Sequence, residues 1–307
     1  MNEAQSQSPG PTASVSIYQT TWLLVAALLA VDGLHFVFAR ALRDLLPPAV
    51  SVVYVIGIGT VELTAFAIAR GRLRWSTFRR HAWFFLAVGA LVAASTTINY
   101  NAVSFVAPGT ASLLSETSIL FGLGFGFFWL GDRLRRMQVF GALIAIFGVA
   151  VISYQPGDYL RVGSLLVIGS SFLYACHTAA VKRYGGDIDF VEFFVWRLIV
   201  TVGFLLASAS AQRLWVWPDG RTWLVLMVAG TTDVVISRTL YYTVLRRLDI
   251  SIHTLILTAS PVVAILWSLF LFGIRPDAQD LLGGLAVLAG VAIVTRGGSV
   301  KRESIDR

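Results

Sequence analysis

Six side chains that carry charge at neutral pH stand inside stretches otherwise built from Leu, Val, Ala, Ile and Phe: Asp32, Glu62, Glu116, Arg197, Asp233 and Arg238. His35, His177 and His253 join them. In hydrocarbon each such charge costs about 2.5–3.5 kcal/mol at a helix centre, so six of them facing lipid would cost on the order of 15–20 kcal/mol. They must therefore face one another, a wet cavity or an interface. Asp32 and His35 lie three apart, on one face of a helix, where the carboxylate can orient the imidazole and the pair can accept a proton or meet a substrate amine. Glu116 sits in "LLSETSILFGLGFG" among Ser115, Thr117 and Ser118. It is suited to a substrate ammonium, to titration, or to staying a neutral hydrogen-bonded acid. Arg238 lies five residues from Asp233, too far round for an ideal intrahelical pair. Its fork fits a carboxylate or phosphate; the competing reading is a buried pair with one of the acids. Glu62 and Arg197 are expected about two turns from helix ends, where long side chains reach the interface, and His253 reads as interfacial. Tyr100 and Tyr242 end helices in matched positions and either line a cavity or pack. The substrate-binding set expected is thus Asp32, His35, Glu116, His177, Arg238, Tyr100 and Tyr242.

Enzyme chemistry has little to stand on. The chain lacks a His-Glu-x-x-His metal pattern, a Gly-x-Ser-x-Gly elbow and a Gly-rich phosphate loop with Lys. Its one cysteine, Cys176, reads as a small core residue. No cofactor, no metal and no enzymatic activity are expected.

The elements that must position these groups follow from composition. Hydrophobic residues make up 56% of the 307 and charged ones 13%, too few for the surface of a soluble domain. A helix needs roughly 20 apolar residues to cross a bilayer. Ten such runs lie near 20–41, 49–69, 82–100, 104–130, 137–155, 162–182, 190–210, 222–244, 250–272 and 280–296. They are continuous, unlike the alternating strands of a membrane barrel. The opening "MNEAQSQSPGPTASVSI" carries no Lys or Arg, so residues 1–18 are expected to be a disordered tail and not a secretory signal. The net charge of +7 is a matter of topology. Of the 24 Lys and Arg, sixteen fall on the side shared by the termini, six on the other, and Arg197 and Arg238 within spans. The positive-inside rule then puts both termini in the cytoplasm, in a multi-pass protein of the cell inner (plasma) membrane. Its partners are expected to be the lipid bilayer, a small-molecule substrate and protons, with no nucleic acid; the sequence specifies no oligomeric state.

One phrase occurs twice. "GDRLRRMQVFGALIAIFGV" at 131–149 returns as "GIRPDAQDLLGGLAVLAGV" at 273–291, a shift of 142 residues. In the same register His35 meets His177, Arg40 meets Lys182, Tyr100 meets Tyr242, and Gly131, Arg133, Gly141 and Gly148 meet Gly273, Arg275, Gly283 and Gly290. The expected organisation is a five-helix repeat over 19–156, a second over 161–297 and a cytoplasmic tail over 298–307. Five is odd, so the second copy enters the membrane inverted, as in many secondary transporters. Inversion also explains the charge change, because the arginine-rich turn falls inside and its copy outside.

On these residues the chain resembles the drug/metabolite transporter superfamily, specifically its EamA type. Gly131, Asp132, Arg133 and Leu134 resemble the family's Gly-Glu-Arg-Leu turn, with Asp in place of Glu. Gly273 and Arg275 keep part of it. Trp196 with Arg197 resembles the aromatic-Arg pair of the seventh helix, and Ser260 with Pro261 stands where the family often has Glu-Pro. Asp32 with Gly33 replaces the usual Trp-Gly of the first helix. The resemblance implies an all-α integral membrane fold of ten helices in two inverted five-helix repeats. It also implies a carrier for amino acids, nucleoside-like metabolites, vitamins or drugs. By that resemblance the expectation is an exporter, working by alternating access around a midplane cavity, and the four acids against two arginines inside the spans point to an amino acid or related amphoteric metabolite as cargo. The alternatives are an uptake carrier for a vitamin or nucleoside-like metabolite, and a passive channel.

Overall fold

A computed structural model describes residues 11–155, 159–248 and 250–303. Its chain is helical apart from two two-residue strands, β1 (Tyr154–Gln155) and β2 (Tyr159–Leu160), paired antiparallel between the halves. The first half runs through α1 (Pro11–Asp32), α2 (His35–Leu42), α3 (Pro48–Ala69), α4 (Trp75–Arg80), α5 (Ala82–Ala102), α6 (Pro108–Ser115), α7 (Thr117–Phe128) and α8 (Arg136–Ser153). The second runs through α9 (Val162–Tyr184), α10 (Phe190–Ala211), α11 (Gly220–Gly230), a π-helical turn (Thr231–Ile236), α12 (Ser237–Leu245), α13 (Ile250–Leu257), α14 (Ser260–Phe272) and α15 (Ala278–Glu303).

Among the described residues nine helical segments are long and apolar enough to cross a membrane. The run expected as one span at 250–272 is instead two helices, α13 and α14, and the 13-residue α14 falls short of that length by itself. The expected span at 104–130 begins only at Pro108, at the N-terminal turn where a missing N–H is harmless. Pro48 plays the same part in α3. At the ends, α1 starts at Pro11, inside the stretch expected to be an unstructured tail, whose residues 1–10 lie outside the described ones. α15 likewise runs to Glu303, beyond the expected boundary at 297. Asp219 caps α11 by accepting from the Thr222 N–H at 2.7 Å, and its hydrogen bonding to Thr222 holds the carboxyl below the usual aspartate range.

The repeated phrase has a backbone cause. Gly131 and Gly273 adopt φ of +73° and +65°, the left-handed conformation in which a side chain is strained. Each stands where its half's fourth apolar run stops and the chain turns into the next helix. The helices entered by these turns, α8 and α15, form the tightest seam of the molecule. A Cβ on Gly141 would lie 2.7 Å from the Gly290 carbonyl, and one on Gly148 would lie 2.5 Å from the Gly283 carbonyl. The low-numbered glycine of each helix thus faces the high-numbered one of the other, so the two helices run antiparallel. Small residues let backbones close to this distance where lipid supplies no hydrophobic drive. Elsewhere α3 meets the π turn at Gly59, α5 meets α10 at Gly89, and α5 is tied to α9 by a Ser95–Ser170 hydroxyl pair at 2.9 Å. Large apolar side chains such as Phe128, Phe147, Phe270 and Leu285 remain exposed round the outside, as a lipid-facing surface requires.

Gly290→Ala places a methyl 2.5 Å from the Ala145 amide and the Gly141 carbonyl. It should lower stability in detergent by about 1–3 kcal/mol. Gly122→Ala, where nothing lies within 4 Å, should leave the thermal midpoint in place. Equal midpoints for the two variants would mean that the seam can open without cost.

Candidate functional site

Three of the spanning segments and the apolar run at 250–272 are interrupted midway, and the interruptions converge. The breaks fall between α1 and α2 at Asp32–Leu34, between α6 and α7 at Glu116, at the π turn holding Asp233, and between α13 and α14 at Thr258 and Ala259. π turns and broken helices expose backbone groups that must find polar company. They find it in a cavity of about 370 Å³ whose lining includes Asp32, Glu116, Asp233, Thr258 and Ser260 from those breaks. His35, Arg197 and Arg238, with the phenols of Tyr174 and Tyr241, complete its ionisable lining. Ser95, Thr96, Asn99, Ser112 and Ser170 supply hydroxyl and amide groups, and Phe36, Ile56, Phe194 and Leu198 supply apolar surface.

Asp32 and His35 do not pair with each other. The helix turns out of register at Gly33 and Leu34, so the expected shared face is lost. His35 Nδ1 lies 2.8 Å from the Asp233 carboxylate instead, and Asp32 accepts from the Ser260 hydroxyl at 2.7 Å. Both groups of the first span therefore reach across to the second half. The π turn is braced from its other end, where the Thr231 hydroxyl donates to Glu62 at 2.7 Å. Glu62 is thus engaged by a neighbouring helix.

Of the seven expected binding residues, Asp32, His35, Glu116 and Arg238 line the cavity, while Tyr100, His177 and Tyr242 stand behind it. Tyr100 is 1% exposed and packs edge-on against the His35 ring at 5.9 Å. His177 is buried beside the lining residue Tyr174, with neither ring nitrogen hydrogen-bonded. Tyr242 packs on Phe190 at 4.1 Å. His253 is also buried, edge-on to Tyr241 at 4.6 Å. Arg197 differs most from expectation. It does not reach the surface: its guanidinium lies over the Phe194 ring at 4.6 Å, and its Nε is buried without a hydrogen bond. Sequence reasoning also left Tyr174 and most of the lining serines and threonines outside the expected site. Small hydroxyl residues are common in any membrane helix, so they gave no signal singly.

A larger pocket of about 510 Å³ opens at one rim around Thr110, Arg161, Asp277 and Asp280. There Arg161 pairs with Asp280 at 3.0 Å, and Thr110 donates to the same carboxylate at 2.6 Å. These groups satisfy one another, so volume alone does not make this pocket the site. The central cavity is smaller but keeps ionisable groups without partners: among the described residues neither Glu116 nor Arg238 makes a side-chain hydrogen bond or ion pair.

The model of the EamA-like transporter family matches residues 11–154 and 161–296. The chain is 28% identical over 196 residues to "Uncharacterized transporter YvbV" of Bacillus subtilis, covering 61% of this chain and 62% of that protein. It is 26% identical over 213 residues to the "Probable amino-acid metabolite efflux pump" of Escherichia coli, covering 63% and 70%. It is 25% identical over 215 residues to "Aromatic amino acid exporter YddG" of Ancylobacter novellus, covering 64% and 70%. The crystal structure of one protein matches with a TM-score of 0.62 at 19% identity, covering 94% of this chain and 99% of that one, a likeness of fold.

His35→Leu leaves the Asp233 carboxylate inside the protein without its partner. It should cost about 3 kcal/mol, and the double variant His35→Leu/Asp233→Leu should recover part of that loss. A double-mutant cycle on thermal or denaturant unfolding measures the difference; purely additive losses would mean that the 2.8 Å contact does not couple the halves.

Proposed function

Because the chain belongs to the EamA-like transporter family, whose members are membrane transporters, we propose that it exports an amino acid or a closely related zwitterionic metabolite. It does so by alternating access around the central cavity, with a substrate amine against Asp32 or Glu116 and a carboxylate against Arg238. The observation that carries this reading is the division of unpaired charge in the cavity. The first half contributes Asp32 and Glu116; the second contributes Arg197 and Arg238, its Asp233 being taken up by His35. A small molecule with separated opposite charges is the complement of such a lining. The names of the relatives in Escherichia coli and Ancylobacter novellus, an efflux pump and an exporter of amino acids, support the same cargo and direction.

Two inverted halves, over 19–156 and 161–297, account for the geometry. Residues 142 apart line the cavity in pairs: Asp32 with Tyr174, Thr96 with Arg238, Asn99 with Tyr241, Glu116 with Thr258 and Ser118 with Ser260. The reciprocal glycine contacts of α8 and α15 are those a two-fold axis in the membrane plane generates. The Trp196 indole N–H donates to the Arg74 carbonyl at 3.3 Å, and at the equivalent positions the Tyr54 hydroxyl donates to the Val216 carbonyl at 3.4 Å. Counting interrupted spans as one gives ten crossings. The basic connections around 70–81 and 131–136 then lie in the cytoplasm with both termini, and the protein sits in the inner membrane. A substrate or proton gradient supplies the energy, with Asp32, Glu116 and His35 available to exchange protons.

Counterflow of labelled amino acids into proteoliposomes tests the function. Wild-type protein should accelerate exchange saturably, and Asp32→Asn and Glu116→Gln should each reduce it about tenfold or more at some pH between 5 and 8, by analogy with the 2–5 kcal/mol cost of truncating one partner of a buried charge pair. Wild-type rates for both variants across that range would remove these carboxylates from the mechanism. Unsaturable electrical conductance would replace the carrier by a channel. Orientation has its own test. A cysteine placed at 72 in a Cys176→Ser background should react with an impermeant maleimide in inside-out vesicles and stay unlabelled in intact spheroplasts.

A further inference from the structure

We propose that Arg197 and Arg238 act together as one oxyanion clamp, so that the cargo must present a carboxylate or phosphate group to both guanidinium groups. The proposal rests on reading the central cavity as the cargo site, and it names the chemistry that cavity selects.

Both side chains line the cavity. They approach it from two elements of the second half, Arg197 from α10 and Arg238 from the first turn of α12, just after the π turn. Two like charges inside a protein call for a counter-charge, and among the described residues none is in contact. Among the described residues no carboxylate comes within ion-pair distance of either guanidinium; Asp233 pairs with His35, and Asp32 accepts from Ser260. Arg197 is also held rigidly. The Phe194 ring at 4.6 Å and the Phe193 ring at 5.8 Å cover it, and such contacts leave the in-plane N–H donors free. One of those donors, Nε, is buried with no acceptor. A buried donor without a partner carries its full desolvation cost until a ligand supplies the acceptor. An oxyanion between the two arginines meets both demands: it neutralises the pair and accepts from the orphaned Nε. An amine meets neither.

The clamp also fixes cargo orientation. The positions 142 residues earlier, Val55 and Thr96, are uncharged, so the acid-binding wall belongs to one half alone. A zwitterion held by it directs its amine toward Asp32 and Glu116 of the other half.

The test uses the purified full-length protein and three probes that share a ring suited to the Phe36 and Phe194 surface: L-phenylalanine, phenethylamine, which lacks the carboxylate, and 3-phenylpropionate, which lacks the amine. Inorganic phosphate is a fourth. Binding is measured calorimetrically for wild type, Arg197→Gln, Arg238→Gln and Arg238→Lys. Each glutamine variant should weaken phenylalanine and 3-phenylpropionate by about tenfold or more, as expected for loss of a charge-assisted bond, and change phenethylamine by less than about twofold. Arg238→Lys should fall between. The ratio of acid to amine affinity is the readout, since partial misfolding lowers both together. Equal losses for all probes, or no loss for the acids, overturns the clamp, as does failure of wild type to bind any oxyanion. If phenylalanine is bound and exchanged by both glutamine variants as by wild type, the clamp falls and the amino-acid reading stands. If phosphate or 3-phenylpropionate binds through the arginines but no amino acid does, the clamp stands and the amino-acid reading falls.

Discussion

An interrupted helix in the middle of a membrane protein exposes amide and carbonyl groups that lipid cannot satisfy, and this constraint shapes the rest of the molecule. Breaks at Asp32–Leu34, Glu116, the π turn and Thr258–Ala259 have to meet around one polar space. Each brings an ionisable or hydroxyl side chain with it, so the break and the chemistry come from the same few residues. The ties from His35 to Asp233 and from Asp32 to Ser260 then join the first span to the π turn and to α14 across the cavity.

Away from the cavity the structural problem is closeness and not polarity. α8 and α15 contribute no lining residue and meet through glycine, backbone against backbone. The close approaches at Gly141, Gly148, Gly283 and Gly290 leave this seam no room to slide without clashes. The aromatic group of Phe78, Phe85, Phe193 and Trp196 does similar work where α4, α5 and α10 meet.

Much of this was legible in the sequence. The apolar runs, the 142-residue register and the paired turn glycines come directly from residue type and spacing, because a left-handed turn and a close helix contact both select glycine. The cost of intramembrane charge pointed to Asp32, His35, Glu116 and Arg238, all of which line the cavity. Pairing was not legible. The Asp32–His35 expectation assumed an unbroken helix, whereas two residues of turn redirect His35 to a partner 198 positions away. Arg197 was misplaced for a similar reason. Its distance from the helix end suggested escape to the surface, but Phe193 and Phe194 cover it from inside the protein. The break within 250–272 left no mark in an apolar run except Pro261, and the π turn left none beyond a pair of threonines.

The link between Trp196 and the Arg74 carbonyl has its counterpart in Tyr54 and Val216, yet the two rims are not equal. On one, Arg74 donates through its backbone N–H and Nε to Glu192 at 3.0 Å, and Thr77 adds a bond at 2.9 Å. On the other, Val216 and Val50 occupy the corresponding places and supply neither charge. Two matched halves with matched rims would divide their time evenly between facing one compartment and facing the other. Each rim carries an ion pair that the other lacks, Arg74–Glu192 on one and Arg161–Asp280 on the other; a difference in their strength would tilt that division, every 1.4 kcal/mol being about a tenfold difference in occupancy. In a carrier of the kind proposed, the balance between these two pairs would decide which door stands shut at rest, and so from which side the cargo is first met.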